Sequence, residues 1–119
     1  MHVFVGYGFY GRDLVEWGLK NELINSAPDR PSTYQFAEAR AVAQRMIDHS
    51  DALCNMEIVL PPGSKQDDVD SPFMFLIDKY RDDSDEALEV DEEKRHLDIK
   101  RLIEKELRFT SSQFFYVRG

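Results

Sequence analysis

The sequence predicts one α+β domain over residues 1–119, in the order β-α-α-β-β-α-β, with a mostly antiparallel four-stranded sheet carrying its helices on one face. Three observations lead there. The chain has 119 residues, the length of one domain, and its 42% hydrophobic content, with eight Phe, suffices for a single packed core. Both helical and strand periodicities occur, without an internal repeat or a linker long enough to separate domains. The apolar run Phe73-Met74-Phe75-Leu76-Ile77 reads as a strand covered on both faces, hence internal to its sheet.

Each element follows from its local pattern. Residues 2–5 begin the first strand, and Gly6, Gly8 and Gly11 then suggest a loop. A helix from about Arg12 places Val15, Leu19 and Leu23 on one stripe, widened by Leu14, Trp17 and Ile24; Gly18 inside it costs roughly 1 kcal/mol relative to Ala. Residues 25–31 hold two prolines and form a connection. Ser32 with Gln35 reads as a capping box, opening a helix with Phe36, Ala39, Ala43, Met46 and Ile47 on its apolar face. Alternation then predicts a half-buried strand over 54–60, with Cys54, Met56, Ile58 and Leu60 inward. The internal strand spans 73–80. A helix from about Asp91 to Leu107 uses Ile99, Leu102, Ile103 and Leu107 as its stripe, and its acidic start and basic later turns suit the helix dipole. Residues 113–117 form the last strand.

The charge is unevenly spread. Of the net −8, residues 67–93 carry twelve acidic side chains against Lys79 and Arg81, leaving the remaining chain slightly positive. Such a stretch repels nucleic acid and anionic lipid and attracts basic proteins. No apolar run is long enough to span a bilayer, the N-terminus lacks the pattern of a secretory signal, and Cys54 is the single cysteine. These features predict a cytoplasmic or nuclear protein.

The sharpest motif is Gly6-Tyr7-Gly8-Phe9-Tyr10-Gly11, a G-x-G-x-x-G followed by Arg12. In dinucleotide-binding domains this spacing brings backbone amides to a pyrophosphate at a helix N-terminus. Here a second helix follows where a βαβ unit needs a strand, and three aromatics crowd the loop. The preferred reading is a turn whose glycines take positive φ while Tyr7, Phe9 and Tyr10 pack or pair. With Trp17, the segment is also a candidate pocket lining.

The acidic stretch does not fit an EF-hand, because a loop starting at Asp83 has Ala87 and Leu88 where it needs an acid and a glycine. No histidine pair has metal-ligand spacing, and His96 reads as ordinary surface pairing with Glu92. No nucleophile motif appears.

The leading expectation is therefore a small, acidic, non-catalytic protein that binds another protein with a basic surface. Its contact residues would be Asp82, Asp83, Asp85, Glu86 and Glu89, and a sheet edge is a candidate contact between copies. The alternative is a small-molecule or nucleotide-binding domain, with or without enzymatic activity. It would use Gly6, Tyr7, Gly8, Phe9, Tyr10, Gly11, Arg12 and Trp17. Neither reading calls for a metal or cofactor.

Overall fold

The computed structural model describes residues 1–25, 31–83, 89–110 and 112–119. Its elements run β1 (His2–Tyr10), α1 (Gly11–Lys20), α2 (Ser32–Met46), β2 (Glu57–Val59), β3 (Pro72–Arg81), α3 (Lys94–Leu107) and β4 (Gln113–Arg118), with two short 3₁₀ turns between α2 and β2. The strands form one antiparallel sheet in the order β2-β3-β1-β4, so β3 is internal as its apolar run predicts.

The helices pack on one face. Successive strand residues point to opposite faces and directly paired residues share one. Tyr7 and Phe9 therefore face the same way as their partners Phe75 and Phe73. These four join Leu14, Trp17, Phe36, Val42, Ile103 and Leu107 in the core. Aromatic contacts knit the layer, with the Phe9 ring tilted against Phe75 at 4.8 Å and edge-on to Phe109 at 5.0 Å between centroids.

The first strand departs most from expectation. It does not end at Val5 but runs nine residues to Tyr10, so Gly6 and Gly8 lie inside it. Neither they nor Gly11 has a positive φ; among the described glycines only Gly63 does, at 92°. Close approach explains the glycines instead. A Cβ on Gly6 would lie 1.9 Å from the Phe75 carbonyl oxygen, and one on Gly8 would lie 2.2 Å from the Phe115 ring. The helix-free face of β1 is thus a bare strip across which neighbouring side chains lie. Met74 approaches it at Gly6 and is fully buried, so β3 is shielded on this face by side chains and not by a second layer of helices.

Gly18 does not interrupt α1. It lets α1 and α2 approach, since a Cβ there would lie 2.7 Å from Val42 Cγ2. The helix ends at Lys20, before Leu23 and Ile24, which still pack half-buried on the core.

Three further expectations need correction. Ser32 does not cap α2: its hydroxyl accepts from the Val69 amide, and Pro31 takes the cap position. The strand predicted over 54–60 is reduced to Glu57–Val59, because a 3₁₀ turn holds Asp51–Leu53 and leaves Cys54 exposed. And α3 starts at Lys94, not Asp91, with His96 only 1% exposed although it reads as a surface residue.

Candidate functional site

The site begins with an irregularity in β3. Val5 pairs with Asp78 but Gly6 pairs with Leu76, so Ile77 is an extra residue with no partner. Such a bulge re-aims the side chains beyond it. Met74 and Leu76 face away from the helices, and unbroken alternation would send Asp78 the same way. The extra residue instead places Asp78 opposite Val5, toward α3.

There α3 meets it with two donors. The Arg95 guanidinium grips both Asp78 oxygens, with Nη1 to Oδ1 at 2.8 Å, and His96 Nε2 lies 3.0 Å from Oδ2. The Glu93 amide donates to His96 Nδ1 at 2.9 Å. Nδ1 is therefore the acceptor, and the Nε2 proton points at Asp78. Arg95 also holds Glu93 through Nε at 2.6 Å. The first turn of α3 is thus tied to the sheet through one carboxylate. The hydrogen bonds from Arg95, with that from His96, lower the Asp78 pKa from 3.8 to about 2 against the opposing effect of burial.

A second polar contact lies beside the first. Tyr7 is buried on the same face of β1, and its hydroxyl donates to Glu92 Oε2 at 2.7 Å. Burial first, then the Glu92 hydrogen bond and charge, raises the Tyr7 pKa well above that of a free phenol. Its ring packs edge-on against Phe114, with Lys100 Nζ 5.7 Å from the centroid.

Above these residues opens a cleft of about 520 Å³, walled by Asp78 and Tyr80 of β3, by Glu89, Val90 and Asp91, by Glu93, Arg95 and His96, and by Arg81, Asp82 and Arg118. Most of its charges are spoken for. Arg118 pairs with Asp82 at 2.9 Å, both largely shielded, and Arg81 pairs with Asp83 at 2.9 Å. Glu89 and Asp91 have no ion pair or hydrogen bond among the described residues.

The expected contact residues divide accordingly. Glu89 and Asp82 line the cleft, while Asp83 is held by Arg81 and the N-terminal ammonium. Asp85 and Glu86 lie outside the described residues. Beyond the cleft, Asp70 pairs with Arg12. The acidic stretch is therefore not a field of free carboxylates, because the fold brings arginines from β3, β4, α1 and α3 to it.

The Gly-aromatic segment is not gathered into one site. Gly6 and Gly8 lie on the helix-free face, Tyr7 and Phe9 on the other, and Tyr10 is 58% exposed at the start of α1. The amides of Gly11 and Arg12 donate to the Ser71 and Val69 carbonyls, and Asp13 accepts from the Tyr10 amide, so the helix N-terminus offers its amides to the protein's own groups. Trp17 is buried, with Nε1 donating to the Leu107 carbonyl at 2.8 Å. Three residues of the segment (Gly8, Phe9 and Tyr10) do line a second cavity of about 500 Å³ with Phe114 and Phe115.

No family model, curated protein or solved structure matches the chain. Among the described residues no cluster of His, Cys, Asp and Glu could hold a metal ion, and no helix is long and apolar enough to cross a membrane. Sequence reasoning did not reach Asp78, Arg95 and His96 as a unit. The available signal was Glu93 three residues before His96, the spacing of a helix cap, which reads equally as surface pairing until the bulge brings Asp78 beneath it.

Proposed function

We propose that the protein acts by binding another protein, without catalysis, and that a basic segment of that partner enters the cleft over the end of β3. One observation carries this reading: Glu89 and Asp91 are unpartnered carboxylates, among the described residues, in a cleft whose arginines are already committed to Asp78, Asp82, Asp83 and Glu93. A Lys or Arg entering there gains two carboxylates without first breaking an internal pair. The Asp78–Arg95–His96 network fixes the floor, which reduces the ordering cost of binding. The exposed, unpaired Cys54 fits a reducing compartment, cytoplasmic or nuclear.

The test uses a synthetic lysine- and arginine-rich peptide as the probe. Its affinity should fall steeply with salt, because the Debye length shrinks from about 10 Å at 0.1 M to about 3 Å at 1 M. Replacing Glu89 and Asp91 together by their amides should weaken it, whereas Asp67→Asn, an exposed acid outside the cleft, should not. Binding indifferent to salt and to the double substitution would refute the cleft as the docking site.

The second reading, a small-molecule binder using the Gly-aromatic segment, draws on the cavity at Gly8, Phe9, Tyr10, Phe114 and Phe115. Its lining favours a flat apolar or aromatic ligand over a nucleotide, since the α1 amides that a phosphate needs are engaged. A thermal-shift screen of small aromatic compounds would reveal such a ligand by a raised melting temperature.

A further inference from the structure

The two ends of the sheet are finished differently. On one side, β3 extends past the three-residue β2, and the exposed stretch carries Lys79 and Arg81, charges of the kind that guard a strand edge against further pairing. On the other side stands β4, Gln113-Phe114-Phe115-Tyr116-Val117-Arg118, with four aromatic or aliphatic residues in succession and no acid.

The hydrogen-bond phase shows which β4 groups point outward. His2 and Gly119 exchange both backbone bonds, each 2.9 Å long. In an antiparallel ladder such pairs alternate with pairs that exchange none. Following the register inward, Val117, Phe115 and Gln113 bond to Phe4, Gly6 and Gly8 of β1. Phe114 and Tyr116 therefore turn their N–H and C=O groups away from the sheet, and no described residue meets these four groups.

We infer that this edge pairs with the same edge of a second copy, antiparallel about a two-fold axis at Phe115, to form one eight-stranded sheet. The pattern is self-complementary. Phe114 of one copy lies opposite Tyr116 of the second and exchanges two bonds with it. The symmetric pair exchanges two more, so all four outward groups are satisfied. Phe115 meets Phe115 of the second copy on the helix-free face.

Charge favours the same partner. The chain carries −8, so two copies meet best where neither presents acid, and β4 is such a place. This inference goes beyond the cleft and does not depend on it.

Sedimentation equilibrium with Tyr116→Pro provides the test. Proline removes an outward N–H without removing a bond to β1, the one setting in which an edge strand tolerates it. The wild-type protein should sediment at twice the 13.9 kDa chain mass. The variant should keep its circular dichroism and raise the dimer dissociation constant at least roughly 100-fold, through two bonds lost per dimer and the steric block. A wild-type monomer at high micromolar concentration, or a variant as dimeric as the wild type, would overturn the inference. Should the variant unfold, amide exchange in the wild type decides: slow, concentration-dependent exchange at Phe114 and Tyr116 supports pairing, and fast exchange at both overturns it.

Discussion

Asp78→Asn tests whether the bulged strand is tied to α3 through one carboxylate. The fold lowers the Asp78 pKa from 3.8 to about 2, so the native state holds its charge more firmly than the unfolded chain does. That difference corresponds to roughly 2 kcal/mol before screening. The Asp78 side chain is 24% exposed and its main partner Arg95 is 55% exposed. Solvent screening of so open an arginine brings the expected contribution to about 1–2 kcal/mol. The sign follows from proton counting. Between the two pKa values the unfolded chain binds more protons than the native protein, so stability rises with pH there. The contribution is complete above about pH 4 and is lost as pH falls toward 2. Urea unfolding of both proteins at intervals from pH 2 to 6 should show Asp78→Asn less stable by about 1–2 kcal/mol at pH 6, with the gap closing at low pH. A gap that stays constant across this range would refute the ion pair as its source.

Three other substitutions probe the sheet and the core. Ala at Gly6 should cost more stability than Ala at Gly8, about 2–3 against 1–2 kcal/mol by urea unfolding, because the new Cβ meets the Phe75 backbone at Gly6 but a movable Phe115 ring at Gly8. Trp17→Phe should cost about 1–3 kcal/mol in the same assay, through the buried Leu107 carbonyl left without its donor.

The features of the fold legible in the sequence are those that periodicity governs. The element order, the internal position of β3 and the apolar faces of α2 and α3 all follow from it, since burial of one face dictates spacing. What escaped depends on contacts distant in sequence. Glycine next to aromatics reads as a turn because glycine tolerates positive φ. Only the register with β3 and β4 shows that Gly6 and Gly8 are small for want of space. Cys54 alternates with Met56 and Ile58, yet the 3₁₀ turn at Asp51–Leu53 takes it out of the strand. His96 is buried because Asp78 and the Glu93 amide satisfy both its ring nitrogens, a pairing over eighteen residues that no local pattern announces.

The candidate site illustrates the same limit in its charges. Counted along the chain, residues 67–93 look like a strongly acidic surface. In the fold, Arg12, Arg81, Arg95 and Arg118 come from four different elements to meet Asp70, Asp83, Asp78 and Asp82. Those carboxylates act in the structure's own contacts, and the exposed Arg12–Asp70 and Arg81–Asp83 pairs add little stability individually. Their larger effect is on electrostatics, because each pair removes a carboxylate from the field a partner would feel at long range. The attraction left in the cleft comes from Glu89 and Asp91, at short range and in a defined place. A partner would then be selected by fitting two carboxylates beside a rigid floor, and only weakly by the net charge that first draws attention to the stretch.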